Sequence, residues 1–142
     1  RLVNVPYLRD TITMMRLLEM IGAKINFNKN IMDIDSSGCN KAIAPYDLVK
    51  TMRASFYMLG PFMSRFKYAE VSLPGGCAWG PRPVDYHLQA MEKMGAEIKL
   101  EDGMIIVKGN LSGACIKFKN SSVGATGNTI MAGGAMTLQE IW

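Results

Sequence analysis

The sequence predicts an α/β chain built on an internal repeat, and three observations lead there. Stretches with apolar residues at helical spacing alternate with short stretches of period two. These recur in the same order at a constant offset: IGAKINF at 21–27 lies over MGAEIKL at 94–100, 73 positions on, with Gly22 on Gly95. The composition, 49% hydrophobic and 20% charged over 142 residues, is that of a packed globular protein and not of a disordered chain.

Taken in order, the run TITMMRLLEMIG puts Ile12, Met15, Leu18 and Met20 or Ile21 on one recurring face. Asp10 or Thr11 is placed to cap its start and Gly22 to stop it. Residues 23–27 alternate, 28–30 turn and 31–34 alternate again, which predicts a hairpin. A short strand runs through Ala44, after which Pro45 redirects the chain into a helix from Tyr46 or Asp47 to Leu59. Gly60 and Pro61 end or kink that helix. A strand at 69–73 runs into Pro74, Gly75, Gly76 and Cys77, too rich in Gly and Pro to continue a sheet, so an exposed loop follows. Pro83 or Asp85 opens a third helix through Met94, and then come a strand at 96–100, a turn at 101–103 and a strand at 104–108.

The same offset lays Ile31 on Met104, Ile34 on Val107 and Ile43 on Ile116, so the match is expected to pass into a following strand. Repeat one covers about residues 1–70 and repeat two about 71–142 of a single partial domain. Repeat units bury their apolar faces on neighbours, and about three copies make a stable array. Two incomplete copies therefore lead to the expectation that the chain is a fragment, which meets the missing remainder of its protein or associates with itself.

Lys plus Arg exceeds Asp plus Glu by 16 to 12, for a net charge of +4 and an isoelectric point near 9.0. The basic residues are scattered and not interleaved with aromatics, which argues against a nucleic-acid partner and fits a small anionic substrate. The longest apolar stretch, 56–63, is broken by Gly60 and Pro61 and is far short of the roughly 20 residues that cross a bilayer. No membrane association is expected. The opening RLVNVPYLRD has no signal-peptide h-region, so the expected compartment is the cytoplasm. Cys39, Cys77 and Cys115 are odd in number and lack CxxC spacing, which predicts reduced thiols and no metal site.

The chemistry concentrates in SLPGGCAWGPRPVD at 72–85. Gly75 and Gly76 permit close ligand approach and place Cys77 on an exposed loop. A thiol near Arg82 has its thiolate favoured, whereas one held protonated donates a proton, so Cys77 fits a nucleophile or a general acid. Cys39 and Cys115 lie beside strands without such surroundings and are read as buried and inert. Arg53 in LVKTMRAS and Arg82 before the third helix are candidate anion clamps, the alternative for each being a surface ion pair. NSSVGATGN at 120–128 has the Ser, Gly and Thr of helix caps and phosphate-cradling turns, but neither Walker nor dinucleotide spacing. His87, the sole histidine, is read as a solvated helix residue and not as part of a triad.

In order, APYDLVKTMRAS, LPGGCAWGPRPVD and SVGAT resemble the enolpyruvyl transferases that act on UDP-N-acetylglucosamine, over nearly the whole chain from NVPYLRD to about Met131. The enolpyruvylshikimate-phosphate synthases share the fold and chemistry without the cysteine loop and form the alternative, beside a non-catalytic module derived from that fold. The resemblance implies part of an inside-out α/β barrel of repeated βαβαββ units, about two of them present here. It implies transfer of the enolpyruvyl group of phosphoenolpyruvate to the 3'-hydroxyl of UDP-N-acetylglucosamine, without metal or organic cofactor. That reaction is the first committed step of peptidoglycan synthesis, and so of cell-wall biogenesis, cell shape and division. Cys77 matches the loop thiol that acts as general acid, forms an adduct with phosphoenolpyruvate and is alkylated by fosfomycin. Arg53 and Arg82 match arginines that hold anionic groups. Pro83, Val84, Asp85 and Tyr86, with Asn120, Ser121, Ser122 and Val123, match the stretches lining the uridine-nucleotide site, although many relatives carry Lys where Asn120 stands. A Lys-Asn pair, an acidic base and a further arginine of the family have no counterparts in this sequence. The closing AGGAMTLQEIW departs from the family pattern.

Overall fold

A computed structural model of the protein describes residues 1–50, 52–73 and 84–134, and of Arg53 the backbone. The chain divides into two compact units, Arg1–Ile43 and Ala44–Trp142.

In the first unit, helix α1 (Arg9–Met20) leads into strands β1 (Lys24–Asn28) and β2 (Ile31–Asp35). Its N-cap is Leu8, with no side-chain cap, so neither Asp10 nor Thr11 plays that part; Asp10 lies inside the first turn, where a carboxylate complements the helix dipole. The buried stripe runs through Thr13, Leu17 and Ile21, and the expected Ile12, Met15 and Leu18 are half-buried. Thr13 sits there because its hydroxyl is satisfied within the helix, on the carbonyl of Arg9 at 2.9 Å. Gly22 takes φ 110°, and its bare Cα faces the carbonyl of Gly38, leaving no room for a Cβ.

The β1–β2 hairpin pairs Lys24 with Asp35 and Asn28 with Ile31, closed by Lys29 and Asn30, both at positive φ (46° and 64°). Two positive-φ residues define the turn whose twist matches that of the strands. The N-terminal residues line the other edge of β2. Leu2 exchanges both hydrogen bonds with Met32 (2.8 and 2.9 Å), and Val5 N–H reaches the Asn30 carbonyl at 2.9 Å. Between these bonds two residues, Val3 and Asn4, thus face one, Ile31. The extra residue is a bulge, with Asn4 at φ 59°.

The second unit carries a four-stranded sheet in the order β3-β4-β6-β5, with β3 (Ile43–Ala44) at the boundary between units, β4 (Tyr68–Ser72), β5 (Glu97–Glu101) and β6 (Met104–Lys108). The β4–β6 and β5–β6 pairings are antiparallel. Ala69 lies opposite Val107 and Val71 opposite Ile105, all fully buried, so period-two alternation builds one apolar face. The turn closing β5 and β6 is Asp102-Gly103, again both at positive φ. Both hairpins keep the 73-residue offset strand for strand, as do the helix-to-strand joints: Ala23 N–H bonds Leu18 and Ala96 N–H bonds Met91, each at 2.9 Å. Past β6 the correspondence shifts, since Asn40 N–H bonds Ile21 but Ser112 N–H bonds Met94. No strand forms around Ile116.

The expected helix from Tyr46 to Leu59 is instead three pieces: α2 (Tyr46–Val49), a 3-10 helix (Arg53–Met58) and α3 (Leu59–Phe66). Gly60 and Pro61 do not end a helix. They lie in the first turn of α3, where the missing N–H of Pro61 has no intrahelical partner to lose. Gly60 faces the backbone of Asn128 so closely that no side chain fits, which lets α3 pack against α5 (Val123–Gly133). Buried residues at helical spacing, Leu59, Phe62 and Met63 on α3, Ala90 and Met91 on α4 (Asp85–Lys93), and Ala125 and Ala132 on α5, form the core. Among the described residues no helix is long and apolar enough to cross a membrane.

Candidate functional site

The site forms where the first turns of α4 and α5 lie side by side. Helix α5 starts at Ser122, whose Oγ accepts the Ala125 N–H at 3.3 Å, as the SSVGAT pattern requires of an N-cap. Helix α4 starts after Val84, with Asp85 exposed in its first turn. Tyr86 is half-buried against the ring of Phe118, centroids 5.3 Å apart, and its hydroxyl accepts from Asn120 Nδ2 at 3.2 Å. One residue further, His87 is buried, its ring edge-on to Phe56 at 4.9 Å. A Cβ on Gly124 would lie 3.3 Å from His87 Nε2. Tyr57 closes the group, donating to the Val123 carbonyl at 3.4 Å while its ring lies over Gly127, where a Cβ would come within 2.8 Å. The glycines of GATG thus give Tyr57 and His87 room to pack on α5.

Each helix start leaves backbone N–H groups without intrahelical partners and carries the positive end of the helix dipole. Two such ends together, with Ser121 exposed beside them and Lys117 and Lys119 exposed on the segment that leads in, make a place suited to an anionic group. Among the described residues no group of three or more His, Cys, Asp and Glu side chains could hold a metal ion.

Of the residues read from sequence, Val84, Asp85, Tyr86, Asn120, Ser121, Ser122 and Val123 fall on these two adjacent starts. Val123 is 87% exposed. Arg53 is the first residue of the 3-10 helix. Cys77, Arg82 and Pro83, with Pro74, Gly75 and Gly76, lie outside the described residues, as does the AGGAMTLQEIW segment from Ala135 on. Cys39 is buried as expected, but Cys115 is exposed, because residues 111–118 form no strand that would bury it. His87 is likewise corrected from solvated to buried.

The family model described as EPSP synthase (3-phosphoshikimate 1-carboxyvinyltransferase) matches residues 1–141. The chain belongs to the EPSP synthase family. Similar members are named UDP-N-acetylglucosamine 1-carboxyvinyltransferase: that of Chloroherpeton thalassium is 59% identical over 132 residues, 91% of this chain and 31% of that protein. The one from Chlorobium phaeovibrioides is 54% identical over 135 residues, 93% and 32% of the two. The chain thus spans about a third of the length of these relatives. Among solved structures, the enolpyruvyl transferase NikO from Streptomyces tendae superposes with a TM-score of 0.72 at 22% identity, over 92% of this chain and 32% of that one. EPSP synthase from Acinetobacter baumannii gives 0.62 at 21%, over 86% and 29%. The α/β arrangement is therefore part of the enolpyruvyl transferase fold, the class expected from sequence.

Within this family member the sequence reading missed Tyr57, His87, Phe118 and Asn128. His87 had a signal, since residues 87, 90, 91 and 94 form one stripe at helical spacing and the other three are apolar. The partners of Asn128 lie 41, 68 and 72 positions away, beyond any local pattern.

Proposed function

We propose that the protein transfers the enolpyruvyl group of phosphoenolpyruvate to the 3'-hydroxyl of UDP-N-acetylglucosamine, releasing phosphate. This chain supplies the cysteine loop and one wall of the nucleotide site, and the remainder of the enzyme supplies the rest. The substrate assignment is supported by the name carried by relatives at 52–59% identity. The single observation that carries the nucleotide half is the adjacency of the α4 and α5 starts, tied by the Asn120–Tyr86 hydrogen bond.

The paired helix ends, with Ser121, Ser122 and Val123, hold the diphosphate, and Pro83, Val84, Asp85 and Tyr86 flank the uridine. Arg53 and Arg82 hold the anionic groups of the substrates. The 3'-hydroxyl oxygen bonds to C2 of phosphoenolpyruvate while its proton passes to an acidic base supplied by the remainder of the enzyme, and the Cys77 thiol delivers its own proton to C3, leaving a thiolate and turning C2 into a ketal carbon. The C2–O bond to phosphate then breaks and phosphate leaves with that electron pair, C3 returns a proton to the Cys77 thiolate, and the enol ether forms. Electrostatic stabilisation by preorganised cations is the main demand of both steps. The reading places the reaction in the cytoplasm, in peptidoglycan synthesis, and so in cell shape and division.

Fosfomycin labelling tests it. The epoxide opens as its C–O bond breaks and a C–S bond to Cys77 forms, so peptide mass spectrometry is expected to find Cys77 modified well before exposed Cys115 and buried Cys39. Equal rates at Cys77 and Cys115 would overturn the assignment. Calorimetry decides the acceptor: binding of UDP-N-acetylglucosamine supports the reading, whereas preference for shikimate 3-phosphate replaces it with the reaction in the family description.

A further inference from the structure

Asn128 is a fully buried polar residue placed between three elements of the second unit. Its Oδ1 accepts the Gly60 N–H at 2.6 Å, and its Nδ2 donates to the Phe56 carbonyl at 3.1 Å. These two backbone partners fix the orientation of the amide, because a flipped group would set donor against donor and acceptor against acceptor. The second Nδ2 hydrogen is then committed to His87 Nδ1, 3.0 Å away. Nδ1 must accept, so the imidazole is the tautomer with its proton on Nε2, the side that meets Gly124. The ring is thereby held on one edge by Asn128, set perpendicular to the ring of Phe56, and packed by its other edge on the first turn of α5.

His87 is consequently a spacer of fixed thickness and orientation between the two helix starts, next in sequence to Tyr86, which carries the second link through Asn120. An apolar side chain could fill the same volume, but it would not select one ring orientation; a hydrogen bond whose donor and acceptor are both fixed does. We propose that Asn128 and His87 are positioning residues that set the separation of the α4 and α5 starts, and with it the grip on the nucleotide diphosphate, without touching substrate. The proposal rests on the nucleotide reading given above.

The test uses the protein with its full open reading frame and three variants. His87→Leu removes the Nδ1 acceptor, and His87→Asn restores an acceptor in that place. Gly124→Ala leaves the network intact but adds a methyl where His87 packs. The expected result for His87→Leu is a KM for UDP-N-acetylglucosamine raised about tenfold while the KM for phosphoenolpyruvate moves less than about twofold. His87→Asn is expected to recover most of the loss, and Gly124→Ala to raise the nucleotide KM about threefold. Equal changes in both KM values, no recovery in His87→Asn, or no effect of Gly124→Ala would overturn the proposal. Should His87→Leu not fold, the other two variants still decide. Hydrogen exchange at the Ala125 and Thr126 amides separates this proposal from the functional reading. Faster exchange in His87→Leu, reversed in His87→Asn, supports the network even if the unmodified protein binds no nucleotide, and unchanged exchange overturns it.

Discussion

The two hairpins of this chain share a register, a loop length and a turn class, yet they are built from different residues. Lys24 opposite Asp35 opens the first and Glu97 opposite Lys108 the second, the same cross-strand pair with polarity reversed. Lys29-Asn30 closes one and Asp102-Gly103 the other. In the first, β2 is edged by a bulged segment; in the second, β6 is covered by the regular strand β4. Even so, Val5 N–H on Asn30 and Leu73 N–H on Gly103 make the same bond at the same turn position. Backbone geometry is thus retained where side-chain chemistry is not, since a two-residue turn and alternating burial fix the register by themselves. Of the two helix starts that form the candidate site, that of α4 precedes the hairpin of the second unit and that of α5 lies past it, where the correspondence between repeats shifts.

The joint between helix and hairpin is where this comparison is easiest to break. Gly22 and Gly95 are equivalent, at φ 110° and 93°, so an alanine at either is strained. At Gly95 the nearest atom to a new Cβ is 3.7 Å away, whereas at Gly22 the Gly38 carbonyl blocks it. Gly22→Ala is expected to cost about 3–5 kcal/mol and Gly95→Ala about 1–2, read as the shift in denaturation midpoint at constant m-value. Equal losses would show that the Gly22–Gly38 approach constrains nothing.

The turns sharpen it with smaller effects. Nothing lies within 4 Å of a Cβ at Gly103, so Gly103→Ala should cost about 1 kcal/mol from backbone conformation alone. Conversely, Lys29→Asp with Asn30→Gly gives the first hairpin the second one's turn and should stabilise it by about 0.5 kcal/mol. A loss of stability in that exchange, followed by thermal melting, would mean that the two turns are not interchangeable.

How much of this was legible follows from how local each cause is. The hairpins, the Ser122 cap and the 73-residue offset were readable because turn residues, alternation and capping act over a few positions. The break of the expected helix at 46–59 was not, because Pro61 is a helix breaker only past the first turn, and the position of that turn is set by packing of Gly60 on Asn128. The exposed Cys115 was misread for a related reason: its segment inherits the pattern of the first repeat but not its strand. The adjacency of 84–86 and 120–123 was expected only through the family resemblance; their joining through Tyr86 and Asn120 needed the tertiary structure.

Acid separates the two hairpins most gently. In the first, Arg1 holds Asp33 through a bidentate pair at 2.8 and 2.9 Å and so keeps its carboxyl below the usual range. Asp35 is also lowered, chiefly by its hydrogen bonds from Ser37. The positions equivalent to both in the second hairpin are Ile106 and Lys108, which have no carboxyl to protonate. A group whose folded pKa is depressed contributes stability above its unfolded pKa and loses it as pH falls through the folded value, so the loss begins below about pH 4. Both carboxylates are solvent-exposed and the effect is accordingly small. In an NMR titration followed by hydrogen exchange, amides of β1 and β2 are expected to lose protection at a higher pH than those of β5 and β6, and Asp33→Asn to remove part of the difference. The same acid response in both hairpins would trace the lability to the backbone pairing they share and not to the charges that distinguish them.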